Sequence, residues 1–212
     1  MNNPSSTPEQ RIYIVDDDEA LRDSLAWLLD SAGYLTQSYD SAEAFLADYN
    51  DGLTGCVLLD VRMPGMSGLE LFDRLCELHA TLPVIFITGH GDVPMAVAAL
   101  KRGAADFIEK PFNDEDMLTL IRQCLAVERD ERDRRRQDAE VARRLDQLTQ
   151  REREVLELII AGKLNKQIAD TLGISIKTVE VHRARVMEKM GANSLAELVQ
   201  HVVALEPQSA PR

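Results

Sequence analysis

Two rhythms of apolar and polar residues divide the chain. Over residues 11–124, short strand-like runs alternate with amphipathic stretches. The runs "IYIV" (12–15), "YLTQSY" (34–39), "CVLLD" (56–60), "PVIFIT" (83–88) and "ADFIEK" (105–110) are short and rich in β-branched and aromatic residues, which predicts strands. Between them, "EALRDSLAWLLDSAG", "SAEAFLADY", "GLELFDRLCEL" and "VPMAVAALKRG" space their apolar residues three and four apart, which predicts helices. The punctuation agrees: Ser41 opens one helix, Pro94 stands near the start of another, and Gly33 and Gly103 close two of them. Central strands that are apolar throughout, instead of alternating, belong to a sheet buried on both faces. The expected fold is therefore an α/β doubly wound, five-stranded parallel sheet.

The second rhythm is helical only. From Asp114 to Leu148 there is no Gly or Pro, and "AVERDERDRRRQDAEVARRLDQL" mixes charge signs at helical spacing. Leu118, Ile121 and Leu125, then Val141, Leu145 and Leu148, are too sparse across 128–138 for a continuous coiled coil. Residues 125–147 thus read as a long helical linker, either continuous or broken near Arg136 or Gln137. Four further helical stretches, punctuated by Gly162, Gly173 and Gly191, predict a small all-α domain over 148–206. Residues 1–10 read as a disordered N-terminus and 207–212 as a loose tail.

Charge sharpens this division. The net charge of −12 is uneven: residues 1–124 carry 8 basic and 21 acidic side chains, 125–147 carry 7 of each, and 148–212 carry 9 and 8. Two domains with different partners follow. No run approaches the length of a membrane span and the start "MNNPSSTPEQ" is polar, so a cytoplasmic protein without a membrane partner is expected. Cys56, Cys76 and Cys124 match no metal-ligand spacing and read as reduced packing residues.

Candidate chemistry gathers at the strand ends, where open parallel sheets place their sites. Asp16 and Asp17 follow the first strand, Asp60 the third, Thr88 the fourth and Lys110 the fifth. Converging carboxylates repel unless a cation joins them, and oxygen donors of this kind suit a hard divalent ion such as Mg²⁺. A carboxylate nucleophile, a metal, an ammonium and a hydroxyl together suit phosphoryl transfer onto an aspartate. Asp18 and Glu19 read more simply, as acids at a helix N-terminus.

In the last domain, "NKQIADTLGISIKTVEVHRARVMEKM" reads as helix, short turn, helix. Ile168, Ala169, Leu172, Val179, Val186 and Met190 supply a packing face. The other face of the second helix offers Lys177, Thr178, Val181, His182, Arg183, Arg185 and Lys189, with Lys163, Asn165, Lys166 and Ser175 at the helix starts. Residues 163–189 hold 6 basic and 3 acidic side chains, a modest excess, but phosphate contacts need only local cations and helix N-terminal amides. A helical bundle with a purely structural role has the same pattern. Glu180, on the same helix, either reads cytosine N4 or repels phosphate.

Residues 11–124 resemble the receiver domain of two-component response regulators, through the acidic pair in "IVDDD", Asp60 in "LLDVRMPGMSGLEL", Thr88 in "FITGHGD" and Lys110 in "FIEKPF". Residues 148–199 resemble the LuxR-type DNA-binding domain. Joined, they resemble the NarL/FixJ response regulators, nearest in wording to FixJ. The resemblance implies that a sensor histidine kinase phosphorylates Asp60. It implies that Mg²⁺ is held by Asp17, Asp60 and the backbone carbonyl of Arg62 with help from Asp16, while Thr88 and Lys110 bind phosphoryl oxygens. Phe107 takes the place of an aromatic switch residue, and the Lys110–Pro111 bond is expected to be cis. Phosphorylation is expected to produce a homodimer on double-stranded promoter DNA that activates transcription with RNA polymerase. An aspartyl-phosphate hydrolase is the enzymatic rival; such enzymes usually carry a second Asp two residues after the nucleophile, where this chain has Arg62.

Overall fold

The computed structural model describes residues 9–89 and 93–203. The first eight residues, His90–Asp92 of the "FITGHGD" stretch and the tail expected over 207–212 lie outside them.

Strands β1 (Arg11–Val15), β2 (Leu35–Tyr39), β3 (Gly55–Asp60), β4 (Val84–Thr88) and β5 (Asp106–Glu109) form one parallel sheet in the order β2-β1-β3-β4-β5. The helices between them are α1 (Glu19–Ser31), α2 (Ala42–Asp48), α3 (Gly68–Glu77) and α4 (Val93–Lys101). Alternate strand residues serve opposite faces. Tyr13, Val15, Val57, Leu59 and Phe86 pack with Phe45 of α2 and with Leu71, Phe72 and Leu75 of α3. Ile12, Ile14, Leu58, Ile85 and Ile87 pack on the other side, with Leu25 and Leu29 of α1. Every residue of β3 and β4 is buried, which explains their unbroken apolar runs. The strand order reverses about β1 and β3, so the crevice at their carboxyl ends is where a ligand site belongs.

Helix α5 (Asp114–Asp146) runs 33 residues, without the break considered near Arg136 or Gln137. The chain divides into two compact units between Glu131 and Arg132, within this helix. Residues 125–147 are less solvated than their charge pattern suggests. In the first unit, Leu125 and Glu128 are buried, and the Gln10 amide donates to the Leu125 carbonyl (2.8 Å) and to Oε2 of Glu128 (2.5 Å). Gln10, expected in the disordered segment, is therefore held against α5. In the second unit, Val141 and Leu145 pack against the helical core.

The second unit contains α6 (Gln150–Ile160), α7 (Asn165–Leu172), α8 (Ile176–Met190) and α9 (Leu195–Val203). Val155, Leu156, Ile159, Ile168, Val179, Val186, Met190 and Leu198 form its core. Thr149 and Glu152 form a capping box at the start of α6, satisfying amides that a helix start leaves unpaired. Gly173 stops α7 in the left-handed conformation (φ 64°), the backbone turn that lets α8 begin at Ser175. Of the cysteines, Cys56 and Cys124 are buried as expected of packing residues, whereas Cys76 is exposed.

Candidate functional site

The carboxyl edge of the sheet brings Asp16, Asp60, Thr88 and Lys110 together. Asp16 and Asp60 are buried, at 1% and 6% exposure, which is costly for charged carboxylates without partners. Lys110 supplies the partner: its Nζ lies 2.6 Å from Oδ1 of Asp60 and 3.1 Å from Oδ2 of Asp16. The remaining oxygens are used by backbone amides, Oδ1 of Asp16 accepting from Asp18 (2.8 Å) and Oδ2 of Asp60 from Arg62 (2.7 Å). Arg22 of α1 also donates to the carbonyl of Asp16 (2.7 Å), fixing the β1–α1 turn from the helix side. Burial pushes the Asp60 carboxyl above the usual carboxylate range, against the pull of Lys110 and with a further push from Asp16. Burial alone would lower the Lys110 ammonium, but the two carboxylates outweigh it and hold it above the ordinary lysine range.

Thr88 is fully buried, with Oγ1 3.5 Å from the carbonyl of Ile108. Phe107 is half-buried beside the core layer that contains Phe86 and Ala99. The Lys110–Pro111 bond is cis. Asp17 stands apart: it is exposed, and among the described residues no three acidic, histidine or cysteine side chains converge closely enough to hold a metal ion. The expected trio of Asp16, Asp17 and Asp60 is thus a pair around an ammonium, with the third carboxylate facing solvent. Asp18 caps α1, accepting from the amides of Ala20 (2.9 Å) and Leu21 (3.4 Å), the helix-start role read from the sequence.

Glycine makes one close approach possible. A Cβ at Gly68 would run into the carbonyl of Asp60, so α3 can begin directly beneath the end of β3 only with Gly there.

In the second unit, α7 and α8 have the layout read from the sequence. The side chains of Lys177 and Arg185 are exposed on α8, with Glu180 and the 46% exposed Val181 on the same helix. Lys163 and Lys166 are exposed around the start of α7, where Asn165 is half-buried. His182 and Arg183 are half-buried, and Nδ1 of His182 is enclosed without a protein partner. Ser175 and Thr178 are engaged at the helix start: Oγ of Ser175 accepts from the Thr178 amide (3.1 Å) and lies 2.8 Å from its hydroxyl. Lys189 departs most from expectation. Its Nζ is 2.6 Å from Oε2 of Glu152 and 3.1 Å from the Gln147 carbonyl, so it ties α8 to the start of α6 instead of facing outward. The sequence offered no sign of this, because Glu152 reads as an ordinary capping-box acid and is 37 residues away.

Comparison with known proteins decides the family. Residues 12–122 match the response regulator receiver domain, and residues 146–202 match the bacterial regulatory proteins of the luxR family. The chain belongs to the two-component response regulators with a LuxR-type DNA-binding domain. It is 48% identical to the transcriptional regulatory protein FixJ of Bradyrhizobium diazoefficiens, over 92% of this chain and 95% of that one. It is 45% identical to the response regulator protein TodT of Pseudomonas putida, over 89% of this chain and 83% of that one. Among solved structures, response regulator StyR matches with TM-score 0.86 and 42% identity over 92% of this chain and 98% of that one. Full-length FixJ from B. japonicum matches with TM-score 0.58 and 46% identity over 94% of this chain and 98% of that one. This response regulator is accordingly a transcriptional regulator of a two-component system. No helix among its described residues is long and apolar enough to cross a membrane.

Proposed function

We propose that this response regulator takes a phosphoryl group on Asp60 from a sensor histidine kinase and thereby controls its binding to promoter DNA. The observation that carries this reading is the Lys110 ammonium shared by Asp16 and Asp60 at the carboxyl edge of the sheet, with Thr88 on the neighbouring strand. Oδ1 of Asp60 is paired with the Lys110 ammonium, on a side chain long enough to move, while Oδ2 is held by the Arg62 amide. An incoming phosphoryl group at Asp60 would meet Lys110 as a cation and Thr88 as a hydroxyl donor.

The donor set fits Mg²⁺. It consists of oxygen ligands alone, and the pairing of Lys110 with two buried carboxylates supports a cluster that accepts positive charge. Asp17, Asp60 and the carbonyl of Arg62 would hold the ion, with Asp16 behind them. The ion supplies neutralisation of the phosphoryl oxygens. Thr88 is drawn toward the phosphoryl group and Phe107 repacks with it, changing the α4–β5 surface. Homodimerisation then places two copies of α8 on half-sites about one DNA turn apart. Lys163, Asn165, Lys166, Ser175, Lys177, Thr178, Val181, His182, Arg183 and Arg185 face the DNA, and Lys189 serves the fold. Activation through RNA polymerase and a cytoplasmic location complete the reading; they rest on the kind of regulator the chain is.

Incubation of the full-length protein with acetyl phosphate and Mg²⁺, followed by mass spectrometry, tests the acceptor. One phosphoryl group on the tryptic peptide containing Asp60 is expected, absent from Asp60→Asn. Phosphorylation of Asp60→Asn to the wild-type level would overturn the assignment.

A further inference from the structure

The loop from Val61 to Ser67 connects Asp60 to α3, and three sets of contacts hold it. At its near end, the Arg62 amide donates to Oδ2 of Asp60 (2.7 Å) and the Val61 amide to the carbonyl of Ile87 (3.2 Å). At its far end, Ser67 caps α3 in a capping box with Glu70. The apex is held from another element altogether. Glu43, one residue into α2, reaches across with Oε1 to accept the backbone amide of Met66 at 3.0 Å. Gly65 leaves room for it: Gly65 has φ 74°, and a Cβ there would lie 2.9 Å from that same oxygen.

Glu43 is exposed, so neither burial nor the apolar core explains its position. A carboxylate accepting a backbone amide forms a charge-assisted bond, stronger than a neutral one. We propose that Glu43 is a positioning residue for phosphorylation: it holds the β3–α3 loop at its apex and so fixes the Arg62 segment beside Asp60. It touches neither Asp60 nor the phosphoryl group and acts through the loop backbone. The inference rests on the reading of Asp60 as the acceptor and of Arg62 as a contributor to the Mg²⁺ site.

The consequence is specific. Freed at Met66, the loop samples other conformations, and the Arg62 carbonyl spends less time where an ion at Asp60 would meet it. Phosphorylation then needs more Mg²⁺, while the two core layers, which Glu43 does not enter, keep their stability.

The test uses the full-length protein with two substitutions. Glu43→Ala removes the acceptor; Glu43→Gln keeps an acceptor oxygen without the charge. Amide hydrogen exchange in metal-free protein reads the latch directly. Exchange at residues 61–67 should rise about tenfold in Glu43→Ala, a change of the size expected for losing one charge-assisted bond, with β3 unchanged and Glu43→Gln between it and wild type. Phosphorylation by acetyl phosphate, titrated with Mg²⁺, reads the consequence. Half-saturation should move up about threefold to tenfold in Glu43→Ala and be largely restored in Glu43→Gln. Unchanged exchange in Glu43→Ala overturns the latch. Faster exchange with an unchanged Mg²⁺ titration overturns the positioning role and leaves a purely structural contact. If wild type itself takes no phosphoryl group on Asp60, the acceptor reading has failed, independently of the exchange result.

Discussion

Nζ of Lys110 lies 2.6 Å from Oδ1 of Asp60 and 3.1 Å from Oδ2 of Asp16, making one ammonium the shared counter-ion of two buried carboxylates. The arrangement explains how a strand-end site can carry several acids without unfolding. It also means that the charge balance of the pocket depends on a side chain long enough to move.

Replacing Lys110 with Met should destabilise the first unit, because two buried carboxylates would then face each other without a cation. Lys110 is 32% exposed, so water screens part of the effect and a loss of about 1–3 kcal/mol is expected. Urea denaturation checks this, and added Mg²⁺ should restore part of the loss. Wild-type stability in Lys110→Met would mean that the carboxylates do not need the ammonium.

Glu152 and Lys189 give the second unit a pH dependence. The Lys189 ammonium, 2.6 Å away, outweighs the burial of Glu152, and with the Thr149 cap holds its carboxyl at about 2 against an ordinary 4.5. A carboxyl lowered in the folded state contributes stability above its unfolded value and loses it as pH falls through its folded value. The contribution is therefore complete above about 4.5 and fades toward about 2. Glu152→Gln should lower stability by about 1–2 kcal/mol near neutral pH, with the gap to wild type closing across that window. Thermal unfolding monitored by circular dichroism at several pH values measures the gap; a gap that stays constant down to the lower limit would rule the mechanism out.

The same pair separates cations proposed to face DNA from structural ones. Lys177→Ala or Arg185→Ala, if either side chain pairs with a phosphate, should reduce the slope of log affinity against log salt by about 0.9 and leave folding intact. Lys189→Ala should do the reverse, lowering the unfolding temperature of the second unit while a folded sample keeps its salt slope. Fluorescence anisotropy with duplex DNA, together with melting curves, distinguishes the two classes.

Gly68→Ala should be among the most harmful single-methyl changes in the first unit. The added Cβ would meet the carbonyl of Asp60, and backbone cannot yield as a flexible side chain does. A loss of about 2 kcal/mol or more is expected in urea denaturation, with weaker phosphorylation of Asp60 in whatever protein folds. Wild-type stability would show that β3 and α3 can separate without cost.

The fold was legible because its strongest signals are local. Runs such as "CVLLD" and "PVIFIT" identify strands covered on both faces, and Ser41, Gly173 and Ser175 mark helix boundaries by chemistry of their own. The strand-end residues Asp16, Asp60, Thr88 and Lys110 were legible for the same reason, since a parallel sheet brings successive strand ends to one edge. What escaped was long-range pairing of polar groups. Gln10 with Glu128, Glu43 with the Met66 amide and Glu152 with Lys189 each join residues 23 or more positions apart. Nothing in the neighbourhood of either partner announces such a bond. Nor does adjacency in sequence give neighbours the same surroundings: Asp16 is buried beside Lys110, whereas Asp17, the next residue, is exposed.

A phosphoryl group on Asp60 is expected to change the assembly of the whole molecule. Sedimentation velocity of the full-length protein with Mg²⁺, with and without beryllofluoride, beside Asp60→Asn, tests it most directly. Wild type should shift from monomer to dimer when beryllofluoride is added, and Asp60→Asn should remain a monomer throughout. Identical sedimentation of the two proteins in every condition would contradict control by phosphorylation-driven dimerisation.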